Sequence, residues 1–422
     1  MADDADFVIV GGGMAGLVLA RRLVLAGKRV VVLEASQRLG GTVARQTVGG
    51  IDLDAGAESF ATRGGTVAKL VQSLQLGESI VEPNPEGAWL QTASGGAFPL
   101  PKNSLLGIPG SPLAEDVTAI IGTRAGSRAF LEAMLPSQYG SRAKTLGELV
   151  RKRMGSVVLD ELVRPIARGV QSTDPDDLPL DAVPGLRNAL MNEGSLARAV
   201  LALRTTSARA GSAVAGIRGG VVRIVDALAS DLERFGVDVR LGARVTDVQP
   251  EAATVGGITV SGRVIVAAPG VLDGSADRGS RVTLATLVVD QPLLDEAPRG
   301  TGVLVADGAA GVRARALTHS TAKWAWLAEA AGGRHVLRLS YDGRESGLAE
   351  IARSDSSVLL GVPIERSAVL DFASVEWYRP KRQEPTPDGI PLVGESIAGT
   401  GLASVVARSE AFAGSLLTDA GG

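Results

Sequence analysis

The chain has 422 residues, a formal net charge of −3 and 21% charged residues, and this near balance of charge together with 3% aromatic residues argues against nucleic-acid binding. It contains no cysteine, which excludes disulfide bonds, iron–sulfur clusters, a thiol nucleophile and a cysteinyl–flavin bond. With only two histidines as well, the composition argues against a zinc or iron site of the usual ligand types. A chain of this length predicts two or more domains.

The N-terminal sequence enters an apolar run within a few residues of Met1, which leaves no room for a signal peptide. No uninterrupted apolar run reaches the roughly 20 residues that a membrane-spanning helix needs. We therefore expect a cytoplasmic protein, for which peripheral contact with a membrane stays open. No feature of the sequence indicates an oligomeric state.

A βαβ pattern opens the chain. An apolar run at 7–10 precedes a glycine-rich turn, and a helical pattern over 17–26 leads to a second apolar run at 29–33 that ends on Glu34. Strand, Gly-x-Gly-x-x-Gly turn, helix, strand and acid form the fingerprint of a dinucleotide-binding fold, in which the acid accepts hydrogen bonds from ribose hydroxyls. The alternative, an ordinary glycine-rich turn, would not explain all these elements in this order.

The glycines of this turn have separate predicted roles. Gly11 makes the tight turn, Gly13 lets the backbone approach a pyrophosphate, and Gly16 lets the helix pack closely on the strand. The helix N-terminus, at Met14 and Ala15, directs free N–H groups and the positive end of the helix dipole towards the phosphates.

The segment after Glu34 distinguishes among dinucleotides. A carboxylate at this position would repel the extra phosphate of NADP, and the sequence Arg-x-Gly-Gly-Thr downstream adds a guanidinium and bare backbone near the pyrophosphate. The segment resembles the long FAD-binding signature of the flavin amine oxidase and protoporphyrinogen oxidase superfamily. This resemblance, rather than the spacing alone, favours FAD over NAD. It implies cofactor contacts at Ala35, Arg38, Gly40, Gly41 and Thr42.

The same resemblance implies that the chain returns to the nucleotide domain. A helix over 221–235 and strands over 237–241 and 244–248 are similar to the second FAD segment of the superfamily, where the backbone of a valine at the position of Val245 pairs with the adenine edge. The apolar run at 263–268 looks like the strand that closes the nucleotide sheet.

Two regions are implied to lie near the flavin ring. Superfamily members carry a stretch similar to Gly56, Ala57, Glu58 and Ser59 beside the flavin, although a structural hairpin with a solvated Glu58 would also explain these residues.

Near the C-terminus, Trp377 precedes the last flavin segment, and Gly399, Gly401 and Leu402 form its turn, with a helix over 402–417 behind it. The N-terminus of that helix would stabilise negative charge on the reduced ring. The strand before the turn looks shorter than in the family.

The substrate side resembles the protoporphyrinogen and coproporphyrinogen oxidases. A predicted hairpin at 89–92 and 97–100 leads into 101–110, which is similar to a family segment of the form G-x-L-x-P-x-P-K…G-I-P. The predicted adjacent strands at 302–305, 316–319 and 336–341 follow the family pattern as well. In the family, a helical lobe such as the one predicted here contributes to the substrate pocket.

The resemblance implies FAD-dependent oxidation of a tetrapyrrole, coproporphyrinogen III or protoporphyrinogen IX, by successive two-electron steps. Hydride would leave a bridging carbon for flavin N5, and dioxygen would reoxidise the flavin to give peroxide. Arg63 is either a contact for a substrate propionate or a plain surface cation. For His319 we expect a structural role, and no side chain is assigned to catalysis. A flavin amine or amino-acid oxidase, a carotenoid desaturase and a non-catalytic flavin- or porphyrin-binding homologue stay open.

The predicted fold is α/β, with a discontinuous Rossmann-like FAD-binding domain, an inserted α+β substrate domain and a helical lobe. The predicted bounds are 1–85, 208–272 and 372–422 for the FAD-binding domain, 86–110 and 273–371 for the substrate-binding domain, and 111–207 for the helical lobe.

Overall fold

The computed structural model describes residues 4–171, 173–208, 214–272, 279–381 and 389–419. The strands in the described residues are β1 (Asp4–Val10), β2 (Val30–Leu33), β3 (Arg45–Val48), β4 (Ile51–Asp54), β5 (Phe60–Ala61), β6 (Ile80–Val81), β7 (Trp89–Gln91), β8 (Ala97–Pro99), β9 (Ser104–Leu105), β10 (Ile108–Pro109), β11 (Val214–Ile217), β12 (Asp238–Arg240), β13 (Val245–Gln249), β14 (Ala252–Val255), β15 (Ile258–Val266), β16 (Ser280–Val289), β17 (Gly302–Val305), β18 (Ala316–His319), β19 (His335–Asp342) and β20 (Val369–Arg379).

The α-helices in the described residues are α1 (Met14–Leu25), α2 (Thr66–Ser73), α3 (Glu115–Phe130), α4 (Leu146–Arg153), α5 (Ser156–Val158), α6 (Arg164–Gln171), α7 (Leu186–Glu193), α8 (Leu196–Ala208), α9 (Val222–Arg234), α10 (Ser320–Lys323), α11 (Ala325–Ala331), α12 (Leu348–Leu360), α13 (Glu395–Ala398) and α14 (Leu402–Asp419). A π-helical turn, Leu159–Val163, joins α5 to α6.

The chain divides into two compact units. The first consists of Met1–Glu82, Val214–Thr283 and Val375–Gly422, and the second of Pro83–Ala213 and Leu284–Ser374. The predicted α/β fold class is confirmed. The predicted three-segment FAD-binding domain overlaps the three stretches of the first unit, and the predicted helical lobe lies within the second; the domain bounds themselves stay predictions.

The first unit is built on a six-stranded sheet with the order β12-β2-β1-β15-β14-β13. The first four strands run parallel, and β14 and β13 are antiparallel additions at one side. All four residues of β2 are buried, as expected for a parallel strand that is covered on both faces. Because β1 lies between β2 and β15, its carboxyl end opens at the middle of the sheet, where ligands bind in such folds.

Helices α1, α9, α2 and α14 supply apolar side chains to the main core of the first unit. Helix α1 contributes Leu17, Leu19 and Leu23, which are fully buried. The helix predicted over 221–235 is confirmed as α9, and the final predicted helix is confirmed as α14. Both helices pack against α1, the helix that follows the glycine-rich turn.

The second unit combines a sheet with a helical part. The seven-stranded sheet has the order β20-β16-β19-β18-β17-β7-β8. The predicted hairpin of β7 and β8 is confirmed, as is the adjacency of β17, β18 and β19. Helices α3 to α8 enclose a separate apolar core, and they occupy the region where the sequence predicts a helical lobe. None of the helices in the described stretches combines the length and apolar character that crossing a bilayer requires.

Candidate functional site

The turn between β1 and α1 needs glycine at its first and last positions. Gly11 has φ +112°, and a Cβ atom on it would lie 2.8 Å from the Cβ of Ala268. A Cβ on Gly16 would lie 2.0 Å from the carbonyl oxygen of Gly11. The tight turn and the close helix–strand packing that the sequence predicts for these two glycines therefore follow from backbone conformation and contact within the protein.

Gly13 differs from both. Its φ of −74° and ψ of 179° are open to any residue. A Cβ on it would meet no heavy atom within 4 Å. Neither strain nor packing in the described protein calls for glycine here, so the open space beside the backbone is free for a bound group. This is the arrangement that a pyrophosphate approaching the N-terminus of α1 needs, and Met14 and Ala15 are the first residues of that helix.

Gly40 and Gly41 lie beside this turn although they are more than 20 residues away along the chain. Gly40 forms a parallel bridge with Gly13, and its N–H donates to the carbonyl of Gly12 at 2.8 Å. A Cβ on Gly41 would lie 3.4 Å from the Cα of Gly13. The two glycine segments thus form one surface of bare backbone. A side chain on either segment would fill part of the open space beside that surface.

The carboxylate of Glu34 is bound directly to the turn. Its Oε2 accepts from the N–H of Gly12 at 2.7 Å, and its Oε1 accepts from the N–H of Ser36 at 2.8 Å. Gly12 was not among the residues that the sequence assigned to the site. Each carboxylate oxygen keeps a further acceptor position, so the group can still receive hydrogen bonds from ribose hydroxyls.

Backbone hydrogen bonds of Glu34 also position the predicted adenine side of the site. The N–H of Glu34 donates to the carbonyl of Arg240 at 2.9 Å, and the N–H of Ala243 donates to the carbonyl of Glu34 at 2.8 Å. These bonds hold the segment that leads into β13, whose first residue is Val245, beside the end of β2. Ala35 and Arg38 are exposed, and Nη1 of Arg38 donates to the carbonyl of Leu39 at 3.3 Å.

The residues predicted near the flavin ring are also brought together. A Cβ on Gly56 would lie 1.8 Å from the carbonyl oxygen of Thr42, so these two segments are in direct backbone contact. The indole N–H of Trp377 donates to the carbonyl of Ala55 at 3.3 Å. Ala57, Glu58 and Ser59 follow Gly56 as half-buried residues between β4 and β5.

The C-terminal segment reaches the site by a route that the sequence did not reveal. Pro391 and Val393 pair with the end of β15: the N–H of Val266 donates to Pro391 and the N–H of Val393 donates to Val266, each at 2.9 Å. The strand that looked shortened is therefore present as a short extended segment alongside β15. Residues 382–388, which precede it, lie outside the described residues.

Gly394 and Glu395, which sequence reasoning missed, follow this segment directly. A Cβ on Gly394 would lie 3.8 Å from the Cβ of Ala15 at the start of α1. Burial raises the pKa of Glu395, and the charge of Arg379 partly offsets that shift. The apolar run that ends at Gly394 is the signal in the sequence that could have identified this segment.

Gly399 and Gly401 lie between α13 and α14. They have φ of +85° and +101°, and a Cβ on either would meet nothing within 4 Å. Helix α14 begins at Leu402, and the N–H groups of a helix's first turn have no partner within the helix, so they can bind a ligand or solvent. Arg63 belongs to a 3₁₀ turn, Arg63–Gly65, and its side chain lies outside what the structure describes.

The two histidines of the chain form a pair in the second unit. Nε2 of His319 lies 3.1 Å from Nδ1 of His335, and Nε2 of His335 lies 3.2 Å from an oxygen of Asp295. Burial, with a smaller contribution from His335, lowers the pKa of His319 to about 4. The sequence showed no partner for His319, because His335 lies on the following strand and only the sheet brings the rings together.

Taken together, the first unit carries a bare glycine surface, a helix N-terminus and a fixed carboxylate at the carboxyl ends of β1 and β2. These groups fit a dinucleotide: amides and dipole for the phosphates, space at Gly13 for their approach, and Glu34 for the ribose. The individual cofactor contacts stay predictions.

A model of the family described as flavin containing amine oxidoreductase matches residues 14–277 of the chain. The chain is 25% identical over 338 residues to the coproporphyrinogen III oxidase of Propionibacterium freudenreichii subsp. freudenreichii, which covers 72% of this chain and 63% of that relative. It is 28% identical over 429 residues to the coproporphyrinogen III oxidase of Mycobacterium leprae (strain TN), which covers 96% of this chain and 93% of that relative.

A solved structure from Exiguobacterium sp. 255-15, provisionally named protoporphyrinogen oxidase, has the same fold, with a TM-score of 0.82 at 22% identity and 98% coverage of both chains. The family match and the dinucleotide fingerprint together identify the cofactor as FAD.

Proposed function

Because the chain belongs to the flavin containing amine oxidoreductase family, we propose that it is an FAD-dependent oxidase of a porphyrinogen in haem biosynthesis. The observation that carries the proposal is the similarity to coproporphyrinogen III oxidases, which in the Mycobacterium leprae relative extends over 96% of this chain. Coproporphyrinogen III is accordingly the proposed substrate, and protoporphyrinogen IX is the competitor to be tested against it.

The residues of the first unit bind and orient the cofactor. The N-terminus of α1 and the bare backbone at Gly13 receive the pyrophosphate, while Glu34, held by the N–H of Gly12 at 2.7 Å, receives the ribose. When bound, FAD supplies a two-electron acceptor for hydride from a bridging carbon of the substrate. The N-terminus of α14 at Leu402 is the group that would stabilise negative charge on the reduced ring.

Arg63 is proposed to bind a propionate of the substrate, since a guanidinium pairs with carboxylates in a bidentate geometry. Dioxygen is proposed as the final electron acceptor, with hydrogen peroxide as the product of its reduction. We also propose that the protein can contact membranes peripherally.

The test uses the purified full-length protein loaded with FAD. Aerobic incubation with coproporphyrinogen III should produce porphyrin fluorescence faster than autoxidation and faster than with protoporphyrinogen IX. Oxygen consumption and peroxide formation should accompany it. Equal rates with and without protein for both porphyrinogens, in a preparation that contains bound flavin, would refute the proposed reaction.

Arg63→Met tests the substrate contact. If Arg63 pairs with a propionate, the variant should raise KM for coproporphyrinogen III with little change in flavin content. Arg218→Met, which changes another arginine of the same unit, is the control. An unchanged KM in the Arg63 variant would return this residue to the role of a surface cation.

A further inference from the structure

Asp54, the last residue of β4, is a buried acid to which the site described above gives no role. Its exposed fraction is 8%. Its Oδ2 accepts a hydrogen bond from the N–H of Val221 at 2.8 Å, and its Oδ1 accepts one from the N–H of Val222 at 2.9 Å. Val221 is the N-cap residue of α9, and Val222 is the first residue of that helix. A carboxylate on β4 therefore caps a helix whose N-cap residue lies 167 positions further along the chain.

The N-terminus of α9 has no capping group of its own. The side chain of Val221 cannot accept a hydrogen bond, and the sequence of the first turn contains no acidic residue. The N–H groups and the positive end of the dipole at a helix N-terminus favour an anion. A buried carboxylate needs hydrogen bonds in place of its hydration, and Asp54 receives a backbone N–H on each oxygen. The helix and the acid thus satisfy each other.

Gly220 makes room for this carboxylate. It has φ +96°, and a Cβ atom on it would lie 3.0 Å from Oδ1 of Asp54. Any other residue would strain the backbone and crowd the acid at the same time. The glycine in front of α9 is therefore required by the capping contact.

On the side of β4, Asp54 leads directly into the segment that is predicted to lie near the flavin ring. The N–H of Ala55 donates to the carbonyl of Ala44 at 2.7 Å, and the carbonyl of Ala55 accepts from the indole N–H of Trp377 at 3.3 Å. Gly56, the next residue, is in backbone contact with Thr42. Because Gly56 is only two residues from Asp54, the bonds of Asp54 to α9 restrict where residues 56–59 can lie.

On the other side, the capped helix touches the surface of bare backbone. A Cβ on Gly40 would lie 3.0 and 3.1 Å from the two methyl carbons of Val225. Val225 is buried and lies at the end of the first turn of α9. Gly40 in turn forms a bridge with Gly13. The turn of α9 that Asp54 caps therefore supports the backbone that is predicted to receive the pyrophosphate.

We propose that Asp54 is a positioning residue for FAD. By capping α9 it fixes the backbone that receives the pyrophosphate relative to the backbone beside the flavin ring, and it acts through Gly40 on one side and Gly56 on the other. This inference rests on the cofactor site of the proposed function, to which it adds a residue that holds the two halves of the site in register.

The second unit contains a matched control. Asp355 is 2% exposed, and its Oδ2 accepts from two successive backbone N–H groups, those of Arg313 at 3.2 Å and Ala314 at 2.9 Å. The hydroxyl of Tyr341 donates to the same oxygen at 3.1 Å. Asp355 thus has the same chemistry as Asp54 at a similar depth, and its donors are not among the residues predicted to bind the cofactor.

The experiment compares Asp54→Ala with Asp355→Ala in the full-length protein. Each apoprotein is titrated with FAD by the quenching of flavin fluorescence, and its thermal unfolding is measured without FAD. Both substitutions should destabilise the apoprotein, because each removes the acceptor of two backbone N–H groups. Asp54→Ala should also raise the Kd for FAD by about tenfold or more and shift the visible absorption band of the bound flavin. Asp355→Ala should keep the Kd within about twofold of the wild-type value and leave the band unchanged.

Asp54→Asn is the milder variant, because an amide oxygen can replace only one of the two accepting oxygens. It should raise the Kd for FAD by about fivefold, and it carries the comparison if Asp54→Ala does not fold. A Kd within about twofold of the wild-type value in a folded Asp54 variant would overturn the inference, and so would an equal rise in Kd for Asp355→Ala. Porphyrinogen oxidation by the loaded wild-type protein is measured separately. Its absence, together with the expected Kd values, would refute the proposed reaction and leave the role of Asp54 intact.

Discussion

Replacing Gly13 by alanine tests whether the open space in the glycine turn is reserved for the cofactor. A Cβ at this position meets no heavy atom within 4 Å, and the backbone conformation suits any residue. Alanine is a poorer N-cap than glycine, but it also restricts the unfolded chain, so the free energy of unfolding of the apoprotein should change by less than about 1 kcal/mol.

The methyl group should instead obstruct FAD. Overpacking a close contact costs roughly 1–3 kcal/mol, which corresponds to an increase in Kd for FAD of roughly 5- to 150-fold. The assay is titration of the apoprotein with FAD, followed by the quenching of flavin fluorescence, alongside urea unfolding of the apoprotein.

Two other glycines provide controls. Gly414 in α14 has equally open surroundings, so Gly414→Ala should leave the affinity for FAD unchanged. Gly16→Ala should destabilise the apoprotein itself, because its Cβ would lie 2.0 Å from the carbonyl oxygen of Gly11. If Gly13→Ala binds FAD as the wild type does, or if it destabilises the apoprotein as much as Gly16→Ala, the assignment of this space to the cofactor is wrong.

Three further predictions concern single side chains. Glu34→Gln replaces one oxygen of a carboxylate that accepts backbone N–H groups by an amide group. The loss of a charge-assisted hydrogen bond, worth roughly 1.5–3 kcal/mol, should weaken FAD binding by roughly 10- to 150-fold in the same titration. An unchanged Kd for FAD would contradict the role of this carboxylate. Glu132→Gln leaves the charge of Arg153 buried without its partner, so it should lower the free energy of unfolding in urea by about 3–5 kcal/mol. Glu148→Gln, at an exposed ion pair, should change the free energy of unfolding little. Similar effects of the two substitutions would contradict a larger stabilising role for the buried ion pair. The neutral form of His319 is favoured in the folded state because its pKa falls from 6.5 to about 4. Its contribution to stability is therefore complete above pH 6.5 and is lost as the pH falls from 6.5 towards 4, by up to about 3 kcal/mol. His319→Gln should flatten this part of the curve of unfolding free energy against pH, and an identical slope in the variant would contradict the assignment.

Short-range patterns predicted much of this protein. The order of strand, glycine turn, helix, strand and acid identifies a dinucleotide fold, because each element is encoded by residues that are neighbours in sequence. The hairpin of β7 and β8 and the helical character of the region 111–207 were predictable for the same reason. The resemblance of 34–42 to a known signature then distinguished FAD from NAD, which spacing alone could not do.

Only the tertiary structure decided how distant segments complete these patterns. The pairing of 391–393 with the end of β15 joins residues more than 120 positions apart, and backbone hydrogen bonds of this kind are made by residues of any type. The same holds for the pair of His319 and His335, which meet only because their strands are adjacent. In the sequence, Glu132 and Arg153 cannot be distinguished from surface charges. Only the packing of the helical core buries both side chains as an ion pair. Local periodicity thus determined the elements and the glycine turn, whereas long-range backbone pairing and burial, which leave no local trace, determined how distant segments join them.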